Sequence, residues 1–493
     1  MAQARSIENA VASSPLERFR AMLERPDLVS YLREGLIGEG VTIPGPFGDI
    51  PLLYADYVAS GRALRQVEEF ILENILPFYA NSHTEASFCG SYMTRLRREA
   101  RSVIASLVNA GPDHAVIFAG SGATAGLNKL AQAVRLADKV RNGEKPVVLI
   151  GPYEHHSNIL PWRESGAEIV QIPESPEGGP DREVLEAELR RTADRSLRIG
   201  SFSAASNVTG IVTNVGEVTR LLKKHGALAF WDFAGGGPYI PIDMRPAEGG
   251  ELDAAVVSPH KFAGGPGATG VLIARRSLFA AGRPTQPGGG TVSFVSPWGH
   301  DYVRDVASRE EGGTPNVIGD IRAALAFLIK DAVGQGFIDQ RHRELNARAL
   351  AAWQSNPNLI LLGTEKNNRL PIFSFRVRGA HGELVHHQLF TRMLSDYYGV
   401  QARGGCACAG PYAHALLEID QGASDALRQA ILTGRELEKP GWVRLNFSYL
   451  LDDAKAERII AAVDELARNA SRLAIAYDAD TATARFRPKI ITG

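Results

Sequence analysis

Seven short runs rich in β-branched and other apolar residues recur between residues 115 and 275: AVIFA (115–119), VVLI (147–150), EIVQI (168–172), RIGSFS (198–203), ALAFW (227–231), AAVVS (254–258) and GVLIA (270–274). Helix-period segments separate them, among them TAGLNKLAQAVRLA and VGEVTRLLKKHG, the second closing on Gly226, a residue suited to a helix C-terminus. Strands that alternate with helices predict a mostly parallel sheet covered on both faces, hence an α/β fold. The stretch 282–299, GRPTQPGGGTVSFVSPWG, reads as a long irregular loop. A strongly apolar helix, VIGDIRAALAFLIKDAVGQG, then leads into a second α/β pattern in which LPIFSFRVR and GWVRLNFSYL are strands. The expected organisation is an N-terminal arm (1–45), a large domain (46–325), a smaller C-terminal α/β domain (326–475) and a tail (476–493).

Bulk properties narrow the function classes. Lys and Arg total 54 against 55 Asp and Glu, a formal net charge of −1, which suggests neither a nucleic-acid nor an acidic-membrane partner. No apolar run approaches the roughly 18 residues needed to span a bilayer, and MAQARSIENAVASSPLERFR lacks the apolar core of a secretory signal. Three cysteines argue against a disulfide scaffold, so a reducing, cytoplasmic setting is expected.

Four motifs carry possible chemistry. In VSPHKFAGGPGATGVL (257–272), Lys261 follows an apolar strand and precedes a glycine-rich turn, where partial desolvation makes a carbonyl-reactive amine; a solvated loop lysine is the plain alternative. In FAGSGATAGLNKL (118–130), Gly120, Ser121, Gly122, Ala123 and Thr124 lie between strand and helix, an arrangement that binds one phosphate or simply forms a tight turn. The spacing G-x-G-x-x-x-G is one residue too long for a dinucleotide fingerprint. YEHHSNILPW (153–162) offers His155 or His156 to stack on a flat heterocycle, and FWDFAGGG (230–237) ends a strand with Asp232, either a helix cap or a partner for a protonated ring nitrogen. Taken in this order, a phosphate loop, a stacking histidine, a strand-end aspartate and a lysine are the parts needed to hold pyridoxal 5′-phosphate. RGGCACAG (403–410) adds two thiols on a loop almost without bulk, open to reading as a metal clip, a disulfide or a mobile nucleophile.

Over roughly residues 50–465 the motif order resembles the class V aminotransferases among the fold-type I pyridoxal-phosphate enzymes. The nearest likeness is to group II cysteine desulfurases and the desulfurase domain of molybdenum-cofactor sulfurases. The resemblance implies a large domain with a mostly parallel seven-stranded sheet and a smaller C-terminal α/β domain. It implies that His155 stacks on the cofactor and that Asn207, in SNVTG, lies near its ring oxygen. Asp232 falls on the ring-nitrogen position, Gly122, Ala123, Thr124 and Ser258 on the phosphate, and His260 beside the Schiff-base Lys261. Thr314, in EGGTPN, matches a threonine that reaches the neighbouring subunit's phosphate, which implies a homodimer with shared active sites. RGGCACAGP fits Arg-x-Gly-x-x-Cys-Ala-x-Pro, so Cys408 takes the nucleophile position and Cys406 is an extra thiol. Against that, a metal site built from the two cysteines and His414 has only three ligands, so no metal is expected. Arg444, in GWVRLNFS, resembles the arginine that clamps the substrate carboxylate, and Arg403 is a second candidate.

The implied activity converts L-cysteine to L-alanine and passes sulfur to Cys408 as a persulfide, for a possible acceptor protein. Departures are the glycine at 235, where the family carries glutamine, and longer lysine and phosphate loops. They motivate the alternative of transamination, epimerisation or lysis of a small amino acid on the same fold.

Overall fold

The computed structural model describes residues 14–489 apart from 83, 247, 248 and 367; residues 1–13 of the expected arm and 490–493 of the expected tail lie outside the described residues. The central sheet has seven strands: β1 (His114–Gly120), β2 (Val147–Ile150), β3 (Glu168–Gln171), β4 (Arg198–Ser203), β5 (Leu228–Asp232), β6 (Ala254–Val257) and β7 (Gly270–Arg275). They are ordered β1-β7-β6-β5-β4-β2-β3. The five neighbours from β6 to β3 run parallel, and β7 lies antiparallel between β1 and β6. Both faces are covered at the centre of the sheet, where β2 and β6 are apolar and buried at every residue, whereas the edge strand β3 exposes Glu168 and Gln171. The C-terminal ends of β1, β2, β4, β5 and β6 consequently share one edge, where open α/β sheets bind ligands.

The N-terminal segment is part of this body. The helix Pro15–Leu23 starts with a capping box between Ser14 and Glu17 and buries Leu16, Phe19 and Leu23 in the large core. The apolar segment after EGGTPN is the helix Val317–Val333, buried on most of its circumference. It stops at Gly334, whose φ of +82° breaks it from the following helix Gln335–Trp353. Residues 282–299 differ from the expected irregular loop: Val292–Ser296 and Gly299–Tyr302 pair as an antiparallel hairpin. The β-branched run Val-Ser-Phe-Val-Ser outweighs the flanking glycines and prolines, and Ser296 Oγ accepts hydrogen bonds from Trp298 N and Gly299 N across the turn.

The second sheet is antiparallel, with Leu359–Leu362, Ile372–Arg378, Trp442–Asn446 and Arg403–Gly405 side by side. Its own core gathers Trp353, Phe373, Phe375, Phe390 and Phe447. Backbone pairing ties it to the first body: Leu53–Tyr54 pairs with Val400–Gln401, and Asp56 with Asn446. Among the described residues no helix is long and apolar enough to cross a membrane.

Gly270 begins β7 directly beside the turn after β1, and a Cβ there would fall on the Gly122 carbonyl. Gly270→Ala is therefore expected to shift residues 122–124 and to cost about 1–3 kcal/mol, as overpacking does. A lowered urea midpoint at unchanged slope would bear this out; an unchanged midpoint would show that the turn gives way freely.

Candidate active site

Loops leaving the shared sheet edge enclose a cleft of about 270 Å³. It is lined by Gly122, Ala123, Thr124, His155, Asn207, Asp232, Ser258, His260, Lys261, Arg403, Cys408 and Arg444, so twelve of the expected site residues converge from separate parts of the chain. Thr314 is not among the lining residues.

One end of the cleft is a helix N-terminus. The helix Gly122–Ala133 follows β1 through Gly120 and Gly122, whose φ values of +102° and +59° turn the chain abruptly. Ser258 Oγ accepts from Ala123 N at 3.0 Å, and Thr124 Oγ1 lies 2.7 Å from Ser157 Oγ. A Cβ on Gly122 would come within 3.2 Å of both Ser258 Oγ and the His260 ring, so glycine keeps this end open. Hydroxyls and the positive end of a helix dipole make an anion cradle.

Along the wall, His155 Nδ1 accepts from Ser157 N at 3.1 Å, which leaves any ring proton on Nε2. Burial, followed by the charges of Lys261, His156 and Arg444, pushes the imidazole down to about 4, so it is neutral at physiological pH. Behind it Glu154 accepts from Ser203 N at 2.8 Å and from Ser203 Oγ and Asn158 Nδ2 at 2.6 Å each. Burial pushes Glu154 up to about 7 against those three bonds, and nearby Asp232 adds to the rise.

Asp232 ends β5 opposite Ser203 on β4. Its Oδ1 accepts from Ala234 N at 2.7 Å. Burial raises its carboxyl above the ordinary range, opposed by that bond and by Lys261. Lys261 closes the short 3-10 turn Pro259–Lys261 after β6. Burial first, opposed by Asp232 and Asp56 and helped by Arg444 and Arg403, lowers its amine to about 8. A desolvated amine facing a desolvated carboxylate suits carbonyl and proton-transfer chemistry.

The opposite wall comes from the second sheet. Asn207 Nδ2 donates to Ala407 O at 2.8 Å, and its own carbonyl accepts from Arg444 Nη1 at 3.1 Å. His156 holds the cysteine loop twice: its N–H donates to Cys408 O at 2.9 Å and its Nε2 accepts from Gly410 N at 2.8 Å. Ala407 and Cys408 take left-handed φ values of +53° and +57°, unfavourable for residues with a Cβ. Cys408 is exposed on the cleft, whereas Cys406 packs against the cluster of Tyr153, Val208 and Trp442. His414 has both ring nitrogens engaged, with Gly410 O and Ser424 Oγ at 2.8 Å each. Cys89 lies on the helix Phe88–Leu107, outside the cleft lining.

Several polar groups in and around this site were not singled out by sequence reasoning, among them Ser157, Glu154 and Asp56. Ser157 and Glu154 flank the histidine pair that was, so their position in YEHHSN was the available signal. Asp56, which bonds both arginines, follows a two-residue strand and had no local mark beyond being a carboxylate at a strand end.

Residues 53–431 match the family model described as Aminotransferase class-V. A probable cysteine desulfurase of Halalkalibacterium halodurans is 28% identical over 367 residues, covering 73% of this chain and 85% of the relative. The cysteine desulfurase of Shigella sonnei is 29% identical over 366 residues, again 73% of this chain and 85% of the relative. The apo structure of a cysteine desulfurase from Thermococcus onnurineus shares the fold, with a TM-score of 0.69 at 23% identity over 85% of this chain and 96% of that one.

Neutral buried histidines give the stability of the apo-protein a definite acid limb. His155 and His260 are pushed down to about 4, and His342 and His387 to about 3, in each case chiefly by burial. The unfolded chain takes up these protons near pH 6.5. Below that pH the unfolded state binds more protons, so these groups make stability fall as pH drops from about 6.5 toward 4. Glu154, raised to about 7, acts in the opposite sense between its ordinary value and 7. The loss of urea midpoint between pH 7 and pH 5 should be smaller in His155→Gln than in the wild type; equal losses would contradict a neutral His155.

Proposed function

We propose that this chain, which belongs to the aminotransferase class-V family, is a pyridoxal 5′-phosphate-dependent cysteine desulfurase that releases L-alanine and takes the sulfur onto Cys408. The observation that carries this reading is that Lys261, Asp232 and Cys408 line one cleft of about 270 Å³.

The residues present fit the cofactor. Gly122, Ala123, Thr124 and Ser258 form an anion cradle at a helix N-terminus, open because position 122 has no side chain. Asp232 has one oxygen satisfied by Ala234 N and leaves the other for a protonated ring nitrogen. Among the described residues Lys261 Nζ makes no hydrogen bond, as suits an amine that is to be linked covalently. His155, neutral and held through Nδ1, would lie on the ring, with Asn207 by the ring oxygen and His260 beside the lysine. Bound there, pyridoxal phosphate supplies a carbonyl for the amine and a sink for the electrons of the Cα–H bond.

The chain's own groups would then act as follows. Arg444 and Arg403 bind the substrate carboxylate and orient the side-chain sulfur toward Cys408. Lys261, at about 8, is neutral in a useful fraction near physiological pH and takes the Cα proton. Cys408 Sγ, as thiolate, attacks the substrate sulfur; the new S–S bond forms as the Cβ–S bond breaks, and its electron pair leaves with carbon. A proton returned to that carbon completes alanine, and the sulfur stays on Cys408 for an acceptor. The left-handed backbone at residues 407–408 stores strain that favours release of the loop for delivery.

A homodimer is part of the proposal. Phe294, Val295 and Trp298 on the hairpin 292–302 are 58%, 63% and 92% exposed, an apolar tip that a second copy would cover. The same association would carry Thr314 to the partner's phosphate cradle. Gly235 favours a second reading, another reaction on a small amino acid, because it leaves the ring oxygen without the side chain relatives of this family use.

The test is product analysis with L-cysteine. Cys408→Ala should lose alanine and sulfide formation by about 10²-fold or more, as loss of a nucleophile does. Cys406→Ala should retain most of the activity. Borohydride reduction followed by peptide mapping should place the cofactor on Lys261, and Lys261→Ala should prevent it. Pyruvate or a new amino acid formed without sulfide, indifferent to Cys408, would favour the second reading instead.

A further inference from the structure

The two arginines assigned above to the substrate carboxylate share a third partner that the mechanism does not use. Arg403 and Arg444 are register partners on adjacent antiparallel strands, so their side chains leave the sheet on one face. Like charges directly opposite each other destabilise such a pair. Asp56 stands between them: Oδ1 accepts from Arg444 Nη2 at 2.9 Å, and Oδ2 accepts from Arg403 Nη2 at 2.9 Å and from Nε at 3.0 Å. Asp56 is held in place. Its backbone bridges Asn446, Asn446 N donates to Ala55 O at 2.8 Å, and Asn446 Oδ1 accepts from Val58 N at 2.8 Å. Arg444 is 4% exposed, gives one N–H to Asn207 O, and has a buried Nε with no hydrogen-bond partner. The pair therefore keeps donors for a ligand even with Asp56 in place.

The charges facing the cleft sum to little. Arg403 and Arg444 supply two positive charges and Asp56 removes one. Lys261 and Asp232 compensate each other, and burial keeps His155 and His260 neutral. With Cys408 counted as the uncharged thiol, one positive charge remains at the arginines, which one carboxylate neutralises; a thiolate there only lowers the sum, and no further cation among the lining residues is left for a second anion. We infer that Asp56 is a specificity-determining residue that limits the cleft to amino acids with one carboxylate and an uncharged side chain, and disfavours dianionic ones such as sulfinates and dicarboxylates. Specificity of this kind comes from charge withheld as well as charge supplied.

This inference rests on the reading that the arginine pair receives the substrate carboxylate, and its test is independent of turnover. The binding of propionate and of succinate to holoprotein is measured by calorimetry in the wild type and in variants. Asp56→Asn, nearly isosteric, should raise the affinity for succinate relative to propionate by about tenfold, the size of one partly screened charge contact. Asp56→Glu, which restores the charge, should bring the ratio back toward the wild-type value. Arg403→Gln, at a side chain half exposed, should lower the ratio and so tests the same charge balance should Asp56→Asn fail to fold. A ratio that stays within about twofold across these variants, or no binding of either anion to any of them, overturns the inference. A shifted ratio in a protein that releases no sulfide from cysteine would overturn the desulfurase reading and leave the charge argument standing.

Discussion

An amine and a carboxylate enclosed in one cleft set the terms for everything around them. For Lys261 and for Asp232 burial is the largest influence, and their mutual attraction offsets only part of it. Such a pair is costly to keep, because desolvation penalises both charged forms. It persists because the scaffold gives neither side chain an alternative. Lys261 sits in a short turn after β6, and Asp232 is the last residue of β5, with one oxygen tied to the backbone of Ala234. The sheet edge holds the two groups together on the lining of one cleft.

The second sheet then closes the site. Its strands Arg403–Gly405 and Trp442–Asn446 carry two arginines to the cleft, and the first body returns Asp56 from a position 388 residues away from Arg444. Asn207 joins the same junction from another direction, accepting from Arg444 through its backbone carbonyl and donating to the cysteine loop through its side-chain amide. The two arginines, the thiol loop and the large sheet thus meet in a few hydrogen bonds, and none of the three can shift far without disturbing the other two.

Those long separations explain what the sequence could and could not convey. The seven strands were legible because each is a short run rich in apolar residues, most of them buried on both faces, and their bounds differ from the sequence reading by a residue or so, as with Leu228–Asp232 against 227–231. The hairpin at 292–302 was missed because its glycine and proline neighbours masked a β-branched pattern. Lys261, Asp232 and His155 were legible because strand ends and neighbouring glycines mark them locally. Asp56 was not, since a carboxylate acquires its meaning only when two guanidinium groups arrive from the far end of the chain. Thr314 does not line the cleft of this chain.

The glycine at 235 bears on how the remaining space is used. A Cβ there would approach Ala205 O to 3.3 Å and Asn207 Cβ to 3.5 Å, close but short of a backbone collision. Its φ is not among the left-handed ones, so the backbone does not require glycine. The absence of a side chain is therefore a feature of the cleft, not a demand of the turn, and it leaves Asn207 as the polar neighbour on that side. Asn207 already commits its side-chain amide N–H to Ala407 O, and its backbone carbonyl accepts from Arg444. In this chain the residue beside Gly235 is also the one whose side chain holds the loop that carries Cys408, so the open space at 235 and the posture of that loop meet at Asn207.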